Sequence, residues 1–202
     1  IAERIGENVE DLRFAGGRVH FANTSLPLGR VAAGSELVVE DKIEIGAFRK
    51  KYIVSTFAAH FVEVAVNAVT GEIRVRRMLA ACDAGRILNP LSAKSQVIGA
   101  MTMGVGAALM EELVPDTRHG FFVNHDLAGY EVPVHADIPE QEVIFIEGGD
   151  SVAGPLQAKG VGELGLCGVS AAVANAVYNA TGIRIRDYPV TLDKLLDRLP
   201  TV

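Results

Sequence analysis

Alternation of apolar and polar positions is clearest around residues 61–76. Val62, Val64 and Val66 alternate with Phe61, Glu63 and Ala65; beyond the Asn67–Gly71 loop, Ile73 and Val75 alternate with Arg74 and Arg76. Two period-two runs around a Gly-containing loop predict an antiparallel hairpin. Its second strand is expected to continue through Met78 to Ala81. Leu12–Phe21 reads as an earlier hairpin turning at Gly16-Gly17, a pair that accepts the positive φ angles of a two-residue turn. Residues 1–10 read as the tail of a helix, Ser25–Leu28 as the start of a short helix, and Leu37–Glu40 as a strand.

The pattern then changes period. Pro90 suits the first turn of a helix, and from Ser92 to Leu113 the only breakers are Gly99, Gly104 and Gly106. Val97, Ile98, Met101, Met103, Val105, Leu109 and Met110 fall on every side, which predicts a helix buried all round. Its glycines would let another backbone pack closely. Residues 114–141 are loop-rich, and Val143–Glu147 reads as a strand. A second long helix is expected over 163–180, stopped by Gly182. Arg184–Arg186 reads as a last short strand and Thr191–Leu196 as a final short helix. Hairpins mixed with two long buried helices predict an α+β fold: two layers, with mixed sheets and antiparallel hairpins, rather than a doubly wound parallel sheet.

Composition narrows the classes. The 202 residues carry 49% hydrophobic and 22% charged side chains with a net charge of −6, so nucleic-acid binding has no electrostatic support. Cys82 and Cys167 are far apart, and His20, His60, His119, His125 and His135 have no metal-ligand spacing, which argues against a zinc or iron–sulfur site in this chain. The most apolar run, Val97–Met110, is too short and too glycine-rich to span a membrane. No linker or repeat is visible, so 1–202 reads as one domain able to divide into two subdomains. The chain opens on Ile1 with no signal peptide, which reads as a processed chain or a piece of something longer.

The chemistry concentrates in Ala158-Lys159-Gly160-Val161-Gly162-Glu163-Leu164-Gly165. After Glu163 no charge occurs before Arg184. If the expected helix begins here, its first turn offers free N–H groups and the positive dipole end to an anion, and the glycines let backbone come close. Glu163 would stand beside that ligand in a poorly hydrated place, suited to a general base. The plain alternative is a first-turn carboxylate favoured by the dipole.

Three segments in order carry a family resemblance. They are Asp83–Pro90 (DAGRILNP), Ser95–Ala100 with Gly104-Val105-Gly106, and Ala158–Glu163, followed by Ala176–Pro189 near the end. Together they resemble the molybdenum hydroxylases, the family of xanthine dehydrogenase and aldehyde oxidase, and within it the molybdopterin-binding subunit of bacterial aldehyde oxidoreductases. The resemblance runs from about Ser55 to Leu196. It implies the C-terminal, second molybdopterin-binding domain of a longer catalytic subunit, which oxidises aldehydes or N-heterocycles and purines with water as oxygen source. The implied cofactor is molybdenum-molybdopterin in its cytosine dinucleotide form, with plain molybdopterin left open. Iron–sulfur clusters and FAD are expected only on partner domains or subunits.

Residue by residue, Glu163 matches the glutamate that takes a proton beside the metal. Lys159, Gly160, Val161 and Gly162 match backbone lining the cofactor. Gln96 matches a glutamine on the pterin phosphate side. Arg86, Ile87, Leu88, Asn89, Pro90, Leu91 and Ser92 match a loop touching the dinucleotide. Gln96 can instead be a helix-surface amide, and Arg86 a structural ion-pair partner. Leu156-Gln157 departs from the small pair common in relatives. Two other readings stay open: a truncated or split domain that only scaffolds a partner, and a cofactor-delivery module, against which Glu163 speaks because binding alone needs no base. Substrate and compartment, cytoplasm or periplasm, stay undecided.

Overall fold

The computed structural model describes residues 1–34, 36, 38–40 and 51–200. The chain forms two compact units, Ile1–Glu44 and Ile45–Val202. The first unit holds helix α1 (Ala2–Ile5), a 3₁₀ turn (Val9–Asp11), strands β1 (Arg13–Ala15), β2 (Arg18–Phe21) and β3 (Thr24–Pro27), and helix α2 (Leu28–Val31). The strands form an antiparallel meander in the order β1-β2-β3. Gly16 and Gly17 have φ of 56° and 69°, the double left-handed geometry that a two-residue hairpin turn requires. Ser25–Pro27 pairs with β2 as strand, and the short helix begins only at Leu28. Val38–Glu40 takes no regular structure, and Leu37 lies outside the described residues.

The second unit is built on β4 (Phe57–Val66) and β5 (Ile73–Asp83), the expected hairpin. A bulge between Glu63 and Val64 lets two residues, Arg76 and Arg77, pass on β5 before the inward side resumes at Met78. An extra residue of this kind restores alternation after a local bend. From β5 the chain crosses through α3 (Pro90–Leu109) and a loop region holding the small ribbon β6 (Pro115–Asp116) and β7 (Phe121–Phe122). It returns as β8 (Glu140–Phe145), parallel to β5. The sheet order β4-β5-β8 is therefore mixed, and helix α4 (Val169–Thr181) and the short α5 (Asp193–Leu196) follow.

The larger of two core clusters lies between sheet and helices. Val75, Met78, Ala80 and Cys82 from β5 meet Val97, Met101, Val105 and Ala108 from α3 and Val169 and Val173 from α4. A Cβ on Gly104 would occupy the space taken by Val169, so that glycine brings α3 and α4 together. The α+β architecture expected from the sequence is the one observed.

Three expectations differ in the second unit. α3 is not buried all round: Ser92, Gln96, Gly99 and Met103 form an exposed face within this chain, Met103 being 61% exposed. Arg184–Arg186 is irregular rather than a strand. The second long helix begins at Val169, not at residue 163.

Candidate functional site

The end of β5 and the residues before Gly160 are far apart in sequence but touch in space. Gly85 and Ala158 form an antiparallel bridge. Arg86 N–H donates to the Gln157 carbonyl at 2.8 Å, and Lys159 N–H donates to the Ala84 carbonyl at 2.9 Å. Gly85 has φ 66°, and a Cβ there would collide with the Gln157 carbonyl oxygen. Both conditions demand glycine. Gln157 itself holds φ 57°, and its carbonyl also accepts from Asp150 N–H at 3.1 Å. Sequence reading noticed Gln157 only as a departure; its part as the knot of three loops is a tertiary fact.

Lys159 fastens the same junction. Its side chain is 8% exposed, and Nζ lies 3.3 Å from Asp83 Oδ1 and 3.5 Å from Asp150 Oδ2. The Gly85 N–H and then the Lys159 ammonium hold the Asp83 carboxyl below the usual range. Asp150 Oδ1 accepts from Val152 and Ala153 N–H groups. The Lys159 side chain is thus spoken for inside the protein, whereas its backbone passes along the site.

Two open hollows meet this junction. One, of about 600 Å³, is lined by Arg86, Ile87, Pro90, Glu147, Gly149 and Gln157 among others. The other, of about 700 Å³, is lined by Thr56, His60, Gly160, Gly162, Glu163 and Cys167 among others. Residues 157–163 run from the first to the second. Gly160 and Gly162 have no heavy atom within 4 Å of a Cβ added to them, and neither has a positive φ. Neither turn geometry nor packing within the described residues requires glycine there, so both leave bare backbone facing the hollow. Bare backbone of this kind lets a bulky cofactor approach closely.

Glu163 stands at this hollow, exposed, but not on a helix. Residues 162–168 form consecutive turns: Leu164, Leu166 and Val169 N–H groups donate to Val161, Glu163 and Leu166 carbonyls at 3.3, 3.1 and 3.1 Å. Gly168, five residues on, is the N-cap of α4. The expected support from a helix dipole is therefore absent at Glu163, which is also not sequestered from water by the described residues. Glycine every third residue explains the late start, since each lowers helix stability by about 1 kcal/mol relative to Ala and permits close packing instead. A Cβ on Gly165 would lie 2.6 Å from the Val97 carbonyl oxygen and 2.9 Å from Ala100 Cβ, and one on Gly168 would collide with His60 Nδ1. His60 Nε2 lies 3.1 Å from the Gly165 carbonyl oxygen. Desolvation holds this imidazole below its ordinary value, with the Gly165 contact opposing. Neither His60 nor Cys167 was singled out by sequence; a lone His on an alternating strand carries no local signal.

The remaining expected residues fall around the first hollow and the start of α3. Arg86 is exposed, and no ion-pair partner for it lies among the described residues. Ile87 packs on the core, and Leu88 and Leu91 are 57% and 84% exposed. Asn89 caps α3: its Oδ1 accepts from Leu91 N–H at 3.1 Å and Ser92 N–H at 3.2 Å, with Pro90 at the first helical position. Gln96 lies on the exposed α3 face, so its amide is not the buried group in need of a partner that an all-round apolar helix would make it. The described residues include no cluster of three His, Cys, Asp or Glu able to hold a metal ion, and no helix is long and apolar enough to cross a membrane.

Mixed sheet, backbone-lined hollow and clasped glycine motifs define a cofactor-binding class, and comparison with known proteins says which. Residues 1–139 match the molybdopterin cofactor-binding domain, and the chain belongs to that family. It is 65% identical over all 202 residues to the aldehyde oxidoreductase molybdenum-binding subunit PaoC of Escherichia coli K12, 28% of whose length it spans. The family match ends before Ala158–Glu163, but the match to PaoC includes them. The crystal structure of the aldehyde oxidoreductase of Desulfovibrio desulfuricans ATCC 27774 superposes with a TM-score of 0.64 at 33% identity, covering 72% of this chain and 16% of that one. Quinoline 2-oxidoreductase of Pseudomonas putida 86 shares the fold, with a TM-score of 0.77 at 21% identity over 98% of this chain and 27% of that one. The chain therefore spans little more than a quarter of PaoC and of quinoline 2-oxidoreductase. The resemblance drawn from its three motifs is borne out.

Proposed function

We propose that residues 1–202 are the C-terminal cofactor-binding domain of a longer molybdenum hydroxylase subunit, which oxidises an aldehyde or an N-heterocycle with water as oxygen source, and that Glu163 is its general base. The observation that carries this reading is the hollow where Glu163 stands beside Gly160 and Gly162, two glycines that nothing in the described chain requires. The match to PaoC supports the aldehyde class.

When bound, the molybdenum cofactor supplies the two-electron centre. The chain does the rest. Backbone from Lys159 to Gly162, held by the Lys159–Asp83–Asp150 clasp, would line the cofactor. Arg86, whose guanidinium has no ion-pair partner among the described residues, would neutralise phosphate on the dinucleotide side, and N–H groups of the glycine-rich segment suit the same anions. Gln96 offers its free amide from α3. The Glu163 carboxylate accepts a proton from the attacking oxygen, which a carboxylate at an open hollow can do and an amide cannot. Iron–sulfur and flavin groups on partner domains or subunits would carry the electrons onward.

The test is Glu163→Gln in the full-length subunit within its complex. Benzaldehyde and hypoxanthine serve as probe substrates and ferricyanide as electron acceptor. Molybdenum content should stay normal, because amide and carboxylate have nearly the same shape. Turnover per bound molybdenum should fall by at least about 10²–10⁴-fold. Activity within about threefold of wild type would return Glu163 to an exposed turn carboxylate without a chemical role, and the chain to a scaffold.

A further inference from the structure

We propose that His60 is a positioning residue for Glu163: from strand β4 it donates a hydrogen bond through Nε2 to the Gly165 carbonyl and so fixes the turn that carries the base. This rests on the reading of Glu163 as general base.

The contact is 3.1 Å long. A carbonyl oxygen only accepts, so the proton sits on Nε2 and Nδ1 is left as the unprotonated nitrogen of the neutral ring. The ring is held from its other side too, because the Gly168 backbone passes so close to Nδ1 that a Cβ there would collide. The opposite flank of the turn rests on α3, where Gly165 lies against Val97 and Ala100. Residues 162–168 are therefore wedged between a strand and a helix, with Glu163 on the open side.

Within the turn the backbone bonds are local and reach 3.3 Å. The Cys167 thiol donates to the Glu163 carbonyl at 3.3 Å, which is also local. Among the described residues, the His60 bond is the one side-chain hydrogen bond that ties this turn to another element. His60 also lines the same hollow as Glu163. Its spacing on β4 supports the placement: Ala58, Val62 and Val64 on the same side of the strand pack on the core, and His60 is the polar member of that row.

A base works only when its oxygen is held at the proton it takes, and displacement by about 1 Å can cost on the order of 10²-fold in rate. Removing the Nε2 donor should therefore lower turnover without emptying the site. The experiment uses the intact enzyme complex and three variants, with benzaldehyde or hypoxanthine as probe, whichever the wild type turns over. His60→Leu fills the space without a donor. His60→Asn is polar but too short to reach Gly165. His60→Gln presents an amide N–H near the position of Nε2.

All three should keep wild-type molybdenum content. His60→Leu and His60→Asn should lose about 10–100-fold in kcat per bound molybdenum with a much smaller change in KM. His60→Gln should recover to within about threefold of wild type. Equal activity of the Asn and Gln variants, or parallel loss of molybdenum and turnover in the set, would overturn the positioning role. If all three match wild type while Glu163→Gln is inactive, His60 falls and the base stands. An active Glu163→Gln enzyme removes the base reading, whatever His60 does.

Discussion

Gly85→Ala tests whether the two glycine motifs are joined as described. Two separate costs arise at this position. Gly85 has φ 66°, where a residue with a Cβ loses roughly 1–2 kcal/mol. The added methyl would also meet the Gln157 carbonyl oxygen, a backbone atom that accepts from both Arg86 and Asp150 N–H groups. It cannot rotate away as a side chain would. Forcing one methyl into such a contact costs about 1–3 kcal/mol.

Together these predict a loss of about 2–5 kcal/mol, a large share of the roughly 5–15 kcal/mol of a typical domain. Gly182→Ala is the control. Gly182 has φ 73° with nothing within 4 Å of its Cβ position, so only the backbone cost remains, about 1–2 kcal/mol. Urea unfolding of the 202-residue chain, followed by far-UV circular dichroism because the chain has no Trp, reads both. With a slope near 2 kcal/mol per molar, the midpoint should fall by about 1–2.5 M for Gly85→Ala and by about 0.5–1 M for the control. Hydrogen exchange at the Arg86 amide should quicken only in Gly85→Ala. Equal midpoints for the two variants, with Arg86 still protected, would refute the Gly85–Gln157 contact and the joining of the two motifs.

Other outcomes follow from the same geometry. Gln96→Leu, on the exposed face of α3, should leave the fold intact and lower molybdenum content of the full-length enzyme more than turnover per bound molybdenum; normal content by elemental analysis would place Gln96 outside the site. The 202-residue chain purified alone should hold little or no molybdenum, because its hollows are open and a large cofactor needs several walls; stoichiometric metal would contradict this. Burial keeps His60 below its ordinary value of 6.5, so the unfolded chain takes up that proton first as pH falls. Its contribution to stability is complete above about 6.5 and is lost as pH drops toward the folded value. The pH–stability slope below 6.5 should flatten in His60→Gln, and an unchanged slope would show that His60 does not titrate in this way.

Much of the architecture was readable from the chain. The β4–β5 hairpin, the Gly16-Gly17 turn, the start of α3 at Pro90 and the end of α4 at Gly182 all follow from local rules: period-two alternation, glycine at positive φ, proline at the first helical turn. Local rules failed where packing took over. The helix expected from residue 163 starts at Val169, because Gly165 and Gly168 are used for close approach to α3 and His60 rather than for helix. β8 is parallel to β5, which no alternation of its own six residues can reveal. The α3 face of Ser92, Gln96, Gly99 and Met103 is open within the described residues, although the apolar pattern predicted burial on every side.

The site divides in the same way. Sequence by itself determined the family and singled out Glu163, Gln96 and the glycine segments, since residue order is all that a motif needs. Only the tertiary structure showed the Lys159 side chain as a buried clasp on Asp83 and Asp150. Only it made Asn89 a helix cap, left the Arg86 guanidinium without an ion-pair partner among the described residues, and set His60 and Gln157 at the junctions. Residues some 70–100 positions apart meet there through backbone carbonyls and missing side chains, and such contacts leave no periodic trace along the chain.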